Sequence, residues 1–451
     1  MKLFLLLLLT CCCSTSALAQ HHETNPLDNY LSHAIIKQTV AGVGHGVLDP
    51  QDLDFVRVPG RENELWILNR GGNGGGSWVI VYDVNKPTQK IEYRFDSHAA
   101  HFLPFASAIA MSANGNFGTT QEILNTFGHP SATFMGPTLW TSDTSILARA
   151  NQNDWVEGEL LGSHSDMLHE SPYSMGIAAD KDNVYWVFDG YHERLYRYDF
   201  AVPHPYGHDD HSDGIVLEYD IDLKRVANLP SHMVLDEVSG WLYVVDNGNN
   251  RILRVNTKSG EDGDDLMQFA NEPLEYYYEV TDVEAYTVDS GISRMSGIDL
   301  FAGRLIVSVN NTGELRMYST IGPEPEYLGS FSTGVAGIMG VKVGPDTSIY
   351  YVNKNTDEVV RLTADLTADV AQEGSVSTQV FPMPASSVLN VRSSSSMSEL
   401  RIVNALGVTL RTVAAAGLST ALDVADLPNG VYYLQMVTSD GVTNERFVVS
   451  R

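Results

Sequence analysis

The chain has 451 residues and 28 Lys plus Arg against 56 Asp plus Glu, a formal net charge of −28. That charge excludes nucleic acid and anionic membrane surfaces as natural partners and favours cations or positively charged ligands. The length allows more than one domain, and the 43% apolar content is that of a globular protein.

Residues 1–19 read as a secretory leader: Lys2, an apolar run over 3–9, and Ala17-Leu18-Ala19 before the expected cut. The alternative, lipidation at one of Cys11, Cys12 or Cys13, is disfavoured by Thr10 just before them. All three cysteines fall in this leader. The mature chain is therefore expected to lack disulfides and thiolate metal sites. Beyond the leader no apolar run is long enough to span a bilayer. Cleavage would leave Gln20-His21-His22 at the new terminus, read as a frayed tail.

A strand-turn-strand pattern then recurs. Its clearest copy is NVYWVFDGYHERLYRYDF at 183–200, followed by 241–256, 304–319 and 348–363, with weaker copies at 64–83 and 138–149. In each, an apolar strand ends at one Asp or Asn: Asn69, Asp143, Asp189, Asp246, Asn310, Asn353. A polar or glycine-bearing turn and a second strand follow, which is hairpin chemistry. A further short strand precedes each hairpin, beginning at Asp52, Ala106, Met175, His232, Ser296 and Met339. Such units cannot bury both faces alone, so they are expected to stack radially as a six-bladed β-propeller. The Trp and Tyr residues of these strands (Trp66, Trp140, Trp186, Trp241, Tyr350) recur by blade and read as core. Blade six supplies only three strands, and the segment 34–40 is predicted to be its fourth, closing the ring over an otherwise unpaired edge.

Insertions interrupt the pattern at 114–137 and 204–214. In the second, Asp209, His211 and Asp213 have the alternating spacing of a calcium loop, with a solvated acidic loop as the alternative. The acidic stretch at 260–265 is a weaker candidate. The glycine-rich loop 70–77 lacks the helix start and lysine of a phosphate cradle and reads as a hairpin turn. After a polar linker at 366–377, residues 378–451 become serine-rich with alternating strands, a small all-β module.

All fourteen histidines lie at or before His232. His101 and His169 each sit three residues before a proline ahead of an inner strand. His232 and Asp52 replace the small residue usual at one inner-strand position. His101, His169 and His232, with Asp52, are therefore expected at one channel mouth, where they would suit Zn or Cu. His45, His98 and His164 could take either loop place. Asn69, Asn310 and Asn353 could hold calcium in the channel, but turn chemistry accounts for them equally well. No G-x-S-x-G elbow or H-E-x-x-H zinc helix is present.

Three resemblances follow from these residues. DNGNNRILRV at 246–255 resembles the NHL-repeat propellers, a likeness covering about 49–365 and specific for fold. The segments 379–391, 399–413, 422–436 and 444–451, with Pro382-Met383-Pro384 and the run LPNGVYY, resemble the C-terminal sorting domain of type IX secretion cargo. Met383 and the terminal Arg451 depart from its usual Asn and Lys. This resemblance implies a small immunoglobulin-like sandwich, export across an outer membrane, and a cell-surface or secreted destination in a Bacteroidetes-type bacterium. Asp189-Gly190-Tyr191 and Pro230-Ser231-His232 resemble parts of the peptidyl-amidating lyase propeller, a zinc enzyme. The last blade has no histidine, and Asn247 stands where that family has arginine, so the activity is not carried over. Tyr191 is kept as the candidate catalytic residue. Two functions remain open: a secreted binding or interaction module for an extracellular ligand, and a metal-dependent lyase or hydrolase.

Overall fold

The computed structural model describes residues 25–125, 133–153, 160–202, 204–208, 210–269, 272–367, 378–404, 408–438 and 441–451. The predicted leader, His21, His22, Asp209 and most of the predicted linker lie outside them. The described chain is nearly all β and divides into two compact units, with the boundary between Ala364 and Asp365.

Among the described residues the first unit is a β-propeller of six sheets, antiparallel except for one parallel pairing in the third. Its inner strands are Pro50–Phe55, Ala106–Met111, Gly176–Ala179, Met233–Asp236, Met295–Phe301 and Ile338–Val343. Each packs against the next, and the last returns to the first, so the sheets close into a ring. The core lies between blades. Trp66, Trp78, Phe117 and Trp140 fill the space between blades one and two, with Trp78 and Trp140 edge to face at 5.0 Å. Trp186 and Tyr350 are buried in the same manner. Trp241 is partly exposed and lies under the Arg254 guanidinium, 4.5 Å from its ring centre. Each blade thus covers the apolar face its neighbour cannot bury alone.

The N-terminal strand Ile35–Ala41 pairs antiparallel with Glu358–Ala364 and is the outermost strand of blade six. Tyr30 Oη donates to the Leu362 carbonyl at 2.8 Å, and Asp28 holds the Arg304 guanidinium at 2.6 and 2.8 Å, tying the entering chain to blades six and five.

Two elements differ from the sequence reading. In blade two the second strand is Asn116–Gln121, inside the supposed insertion, and Thr138–Thr141 is the third strand, not the second. Phe117 alone among its side chains is large and apolar, so the strand carries a faint pattern although every side chain from 117 to 121 is buried. Asp143 is accordingly an exposed turn residue, and Gln121 occupies the strand-end position instead. The acidic stretch is an edge strand, Glu261–Asp265, in a six-stranded blade three reached through a parallel pairing of Ile215–Tyr219 with Tyr276–Thr281. All five of its residues are exposed, and charge on an open edge opposes pairing with a second sheet.

The second unit is β-sandwich-like. The long strand Val388–Asn404 pairs with Thr378–Phe381 along its first part, with Gly430–Thr438 along its second, and with Thr409–Asp423 along both. Its core includes Leu389, Leu400, Leu427, Leu434 and Phe447. The terminal Arg451 donates to the carbonyls of Val424 and Leu427, both at 2.9 Å, so it is part of the module's structure.

Candidate functional site

The channel is built from backbone and a few charged side chains. The Asp52 carboxylate is fully enclosed and accepts from the Leu53 and Ile109 amides at 2.9 and 3.0 Å. His232 Nδ1 stands 3.5 Å from Asp52 Oδ1, and its Nε2 meets the Ser107 carbonyl at 3.1 Å. Burial pushes the Asp52 carboxyl up and the His232 imidazole down, each partly opposed by the other. Gly340 makes room for this pair: a Cβ there would lie 2.4 Å from Asp52 Oδ1. The pair links blades one, two and four.

On the side where chain enters the inner strands, the segment 224–230 crosses the channel. The Asn228 amide donates to Glu122, its Oδ1 accepts from Arg70, and its carbonyl meets Lys354 Nζ at 3.4 Å. Leu229 is buried among the cores of blades six and one. The far side is open. A cavity of about 250 Å³ there is lined by Asp54, Arg57, Glu237, Asp299 and Lys342 together with Phe55, Met111, Leu235 and Phe301. Lys342 Nζ lies 3.8 Å from Asp54 and 3.6 Å from Asp299. Burial works against the Lys342 charge, but Asp54, Asp299 and Asp52 outweigh it and raise its pKa. Burial pushes the Asp299 carboxyl up to about 6.

The histidines gather elsewhere, where blade two meets blade three. Blade two ends in the buried strand His164–Met167, and the blade-three residues 204–208 and 210–214 fold onto it. The Gly207 amide donates to the His164 carbonyl at 2.8 Å, and Gly207 accepts from the Leu161 amide at 3.0 Å. Gly207 has φ of 82°, and a Cβ would meet Leu161 N at 2.7 Å, so glycine is required. This clamp places His211 Nδ1 2.9 Å from Asp166 Oδ1. His204 Nε2 lies 3.7 Å from Asp166 Oδ2 and 3.4 Å from Asp213 Oδ1. The Glu275 amide donates to the Gly214 carbonyl, which brings in Glu272. Glu272 Oε2 is 2.6 Å from His169 Nδ1 and 3.4 Å from His211 Nε2. Phe134 stacks on the His169 ring at 3.8 Å. Burial pushes the Asp166 carboxyl up, with His211 and His204 opposing.

Beside it runs a second polar chain. His192 Nδ1 is 2.5 Å from Asp189 Oδ2 and 3.2 Å from the Tyr196 hydroxyl, which donates to Glu218. Burial alone would push the His192 imidazole down, but Asp189, then Glu218 and Glu170, push it up on balance. Burial pushes the Glu170 carboxyl up to about 8.

His169, His211 and Asp213 therefore lie in the blade two–three cluster, but His211 and Asp213 belong to different ligand-type groups within it. His101, His169 and His232 form no such group among the described residues. His232 faces Asp52 inside the channel, and His101 packs against Phe102 at 4.5 Å in the short helix Ala99–Phe102. Of the spare histidines, His164 is buried and stacked on Phe102. Tyr191 is 47% exposed at the blade-three rim, where its amide donates to Asp189. Asp166, His192, His204 and Glu272 escaped the sequence reading. Their signal was density: six of the fourteen histidines lie between 164 and 211.

The fold and its closing module define an exported β-propeller protein. Residues 379–450 match the family described as Secretion system C-terminal sorting domain. This module is a type IX sorting tail: it engages that secretion machinery and directs the chain to the cell surface or beyond. No curated protein matches the chain. Among solved structures it is similar to an auxiliary nutrient binding protein from Bacteroides ovatus, at 12% identity and TM-score 0.44, covering 74% of this chain and 77% of that one. A second auxiliary nutrient binding protein, from Bacteroides thetaiotaomicron, is 9% identical with TM-score 0.46, covering 73% and 76%. PorZ, a surface component of the type IX secretion system of Porphyromonas gingivalis, is 12% identical with TM-score 0.35, covering 86% and 58%. Among the described residues no helix is long and apolar enough to cross a membrane.

Proposed function

We propose that this protein is a secreted or surface-held binding module whose ligand occupies the open channel mouth. One observation carries the reading: the channel is crossed by 224–230 on one side, and on the other it widens into a cavity of about 250 Å³ lined by fixed charges of both signs. A concave site with few convergent polar groups and apolar walls is the usual form of a small-ligand pocket. Lys342 offers a buried cation to an anionic group, and Asp54 and Asp299 accept from hydroxyl or ammonium donors. Arg57 and Glu237, paired at the rim, are positioned to exchange their mutual bond for bonds to a ligand.

The test is thermal unfolding of the full chain against a panel of monosaccharides, sugar acids, amino acids and short peptides. A binder should raise the midpoint of the wild type and lose that effect in Glu237→Ala and Arg57→Ala. Failure of every probe, or equal stabilisation of both variants, would remove the channel from consideration.

A second reading, lyase or hydrolase chemistry, has one observation in its favour. Glu170 and Asp189, whose carboxyls burial pushes up, and His192, whose imidazole Asp189 pushes up, lie with Tyr196 and Glu218 beside the exposed Tyr191. Turnover of model esters or amides that disappears in His192→Ala would favour it over pure binding.

A further inference from the structure

We propose that Asp166, His204 and Asp213 bind a divalent transition-metal ion, with zinc the best match, and that this ion fastens the 204–214 loop of blade three to the last strand of blade two.

Each carboxylate has one oxygen anchored and the other aimed inward. Asp166 Oδ1 is held by His211 Nδ1 and the Met167 amide, at 2.9 and 2.7 Å. Asp213 Oδ2 accepts from the Val202 amide at 3.2 Å. The free oxygens, Asp166 Oδ2 and Asp213 Oδ1, both face His204 Nε2 at 3.7 and 3.4 Å. All three atoms are buried and have no hydrogen-bond partner among the described residues, and the Asp166 side chain is fully enclosed. Leaving a buried carboxylate oxygen unsatisfied costs several kcal/mol, so such atoms converge when something positive sits among them.

The spacing identifies the occupant. Zinc bonds of about 2.0–2.1 Å in a tetrahedron separate neighbouring ligand atoms by about 3.3 Å. The separations from His204 are that length or slightly longer. Calcium instead takes six to eight oxygen ligands, and imidazole is a poor member of such a shell. The neighbouring trio of His169, His211 and Glu272 is different. Its His169–Glu272 distance of 2.6 Å is a hydrogen-bond length, too short for two ligands of one ion. That trio supports the site from outside: His211 orients Asp166, as partners behind metal ligands commonly do. Three protein ligands leave a fourth position. That position would take water or an oxygen of a bound molecule.

The inference is independent of the channel. It is tested on the untagged full chain by stripping with EDTA, dialysing against zinc and measuring bound metal by mass spectrometry. The wild type should retain about one zinc per chain. His204→Ala and Asp213→Asn, both at partly exposed side chains, should retain at least tenfold less at the same free zinc while still folding by circular dichroism. His232→Ala should retain the wild-type amount. Cobalt in place of zinc should give the intense visible absorption of a tetrahedral site in the wild type and not in His204→Ala. No retained zinc in the wild type, equal retention in the two site variants, or retention of calcium in preference to zinc would each overturn the proposal.

Discussion

At the scale of single residues, burial decides which charges matter. Glu170 faces His192, Glu218 and Glu272 and accepts from the Phe269 amide, yet burial dominates and raises its pKa from 4.5 to about 8. A carboxyl with a raised folded-state pKa favours the fold fully below its unfolded pKa. That advantage is lost as pH rises through the folded value. Stability should therefore fall between about pH 4.5 and 8 by up to a few kcal/mol, since each tenfold change in proton affinity is worth about 1.4 kcal/mol. Glu170→Gln should flatten this slope and be the more stable protein at pH 9, as read from urea unfolding at several pH values. An unchanged slope would show that Glu170 is not held neutral. Gly340→Ala is the packing counterpart. Its new Cβ would press on Asp52, whose Cα is 2.8 Å away, and the backbone cannot swing aside. A loss of about 1–3 kcal/mol, typical of overpacking, is expected in chemical denaturation.

At the scale of elements, the closing strand is the sharpest case. Ile35–Ala41 was legible because blade six lacked a strand and an apolar stretch lay unassigned at the other end of the chain. Its pairing with Glu358–Ala364 satisfies an edge that would otherwise template association. Deleting residues 25–41 should lower the thermal midpoint and shift the protein to soluble aggregates in size-exclusion chromatography. A monomer with an unchanged midpoint would show that closure is dispensable. Blade two was less legible. Asn116–Gln121 has two strand-favouring threonines, Thr119 and Thr120, but Phe117 is its single large apolar side chain and Asn116, Gly118 and Gln121 blur the alternation that would mark a strand. Its burial comes from neighbours, since Gly118 leaves room for Tyr185 and Ile177 of blade three. The acidic edge strand was hidden for a related reason, because its pairing to Tyr276–Thr281 overrides a turn-like composition.

At the scale of the whole molecule, the chain divides into two compact units, and the second carries the delivery signal. Removing 378–451 should leave the propeller folded, with unchanged cooperative unfolding, but retained in the periplasm of a type IX-competent host. Cell fractionation would show this, and normal surface delivery without the tail would contradict its role as the address. The sorting tail was readable in full because its landmarks are short local motifs, and the propeller because each blade repeats one local pattern. Repetition and period are properties of neighbouring residues, so the chain alone determined the class of fold and the destination. The site was not local. His204, Asp166 and Asp213 come from two blades, and the Gly207 clamp brings them together through backbone bonds that no spacing announces. His232 was expected to join His101 and His169 beside Asp52, but strand geometry leaves it facing Asp52 inside the channel without forming a ligand-type group with those two histidines among the described residues. Which side chains share a site depends on how blades pack and loops fold back, and the tertiary structure alone decided that.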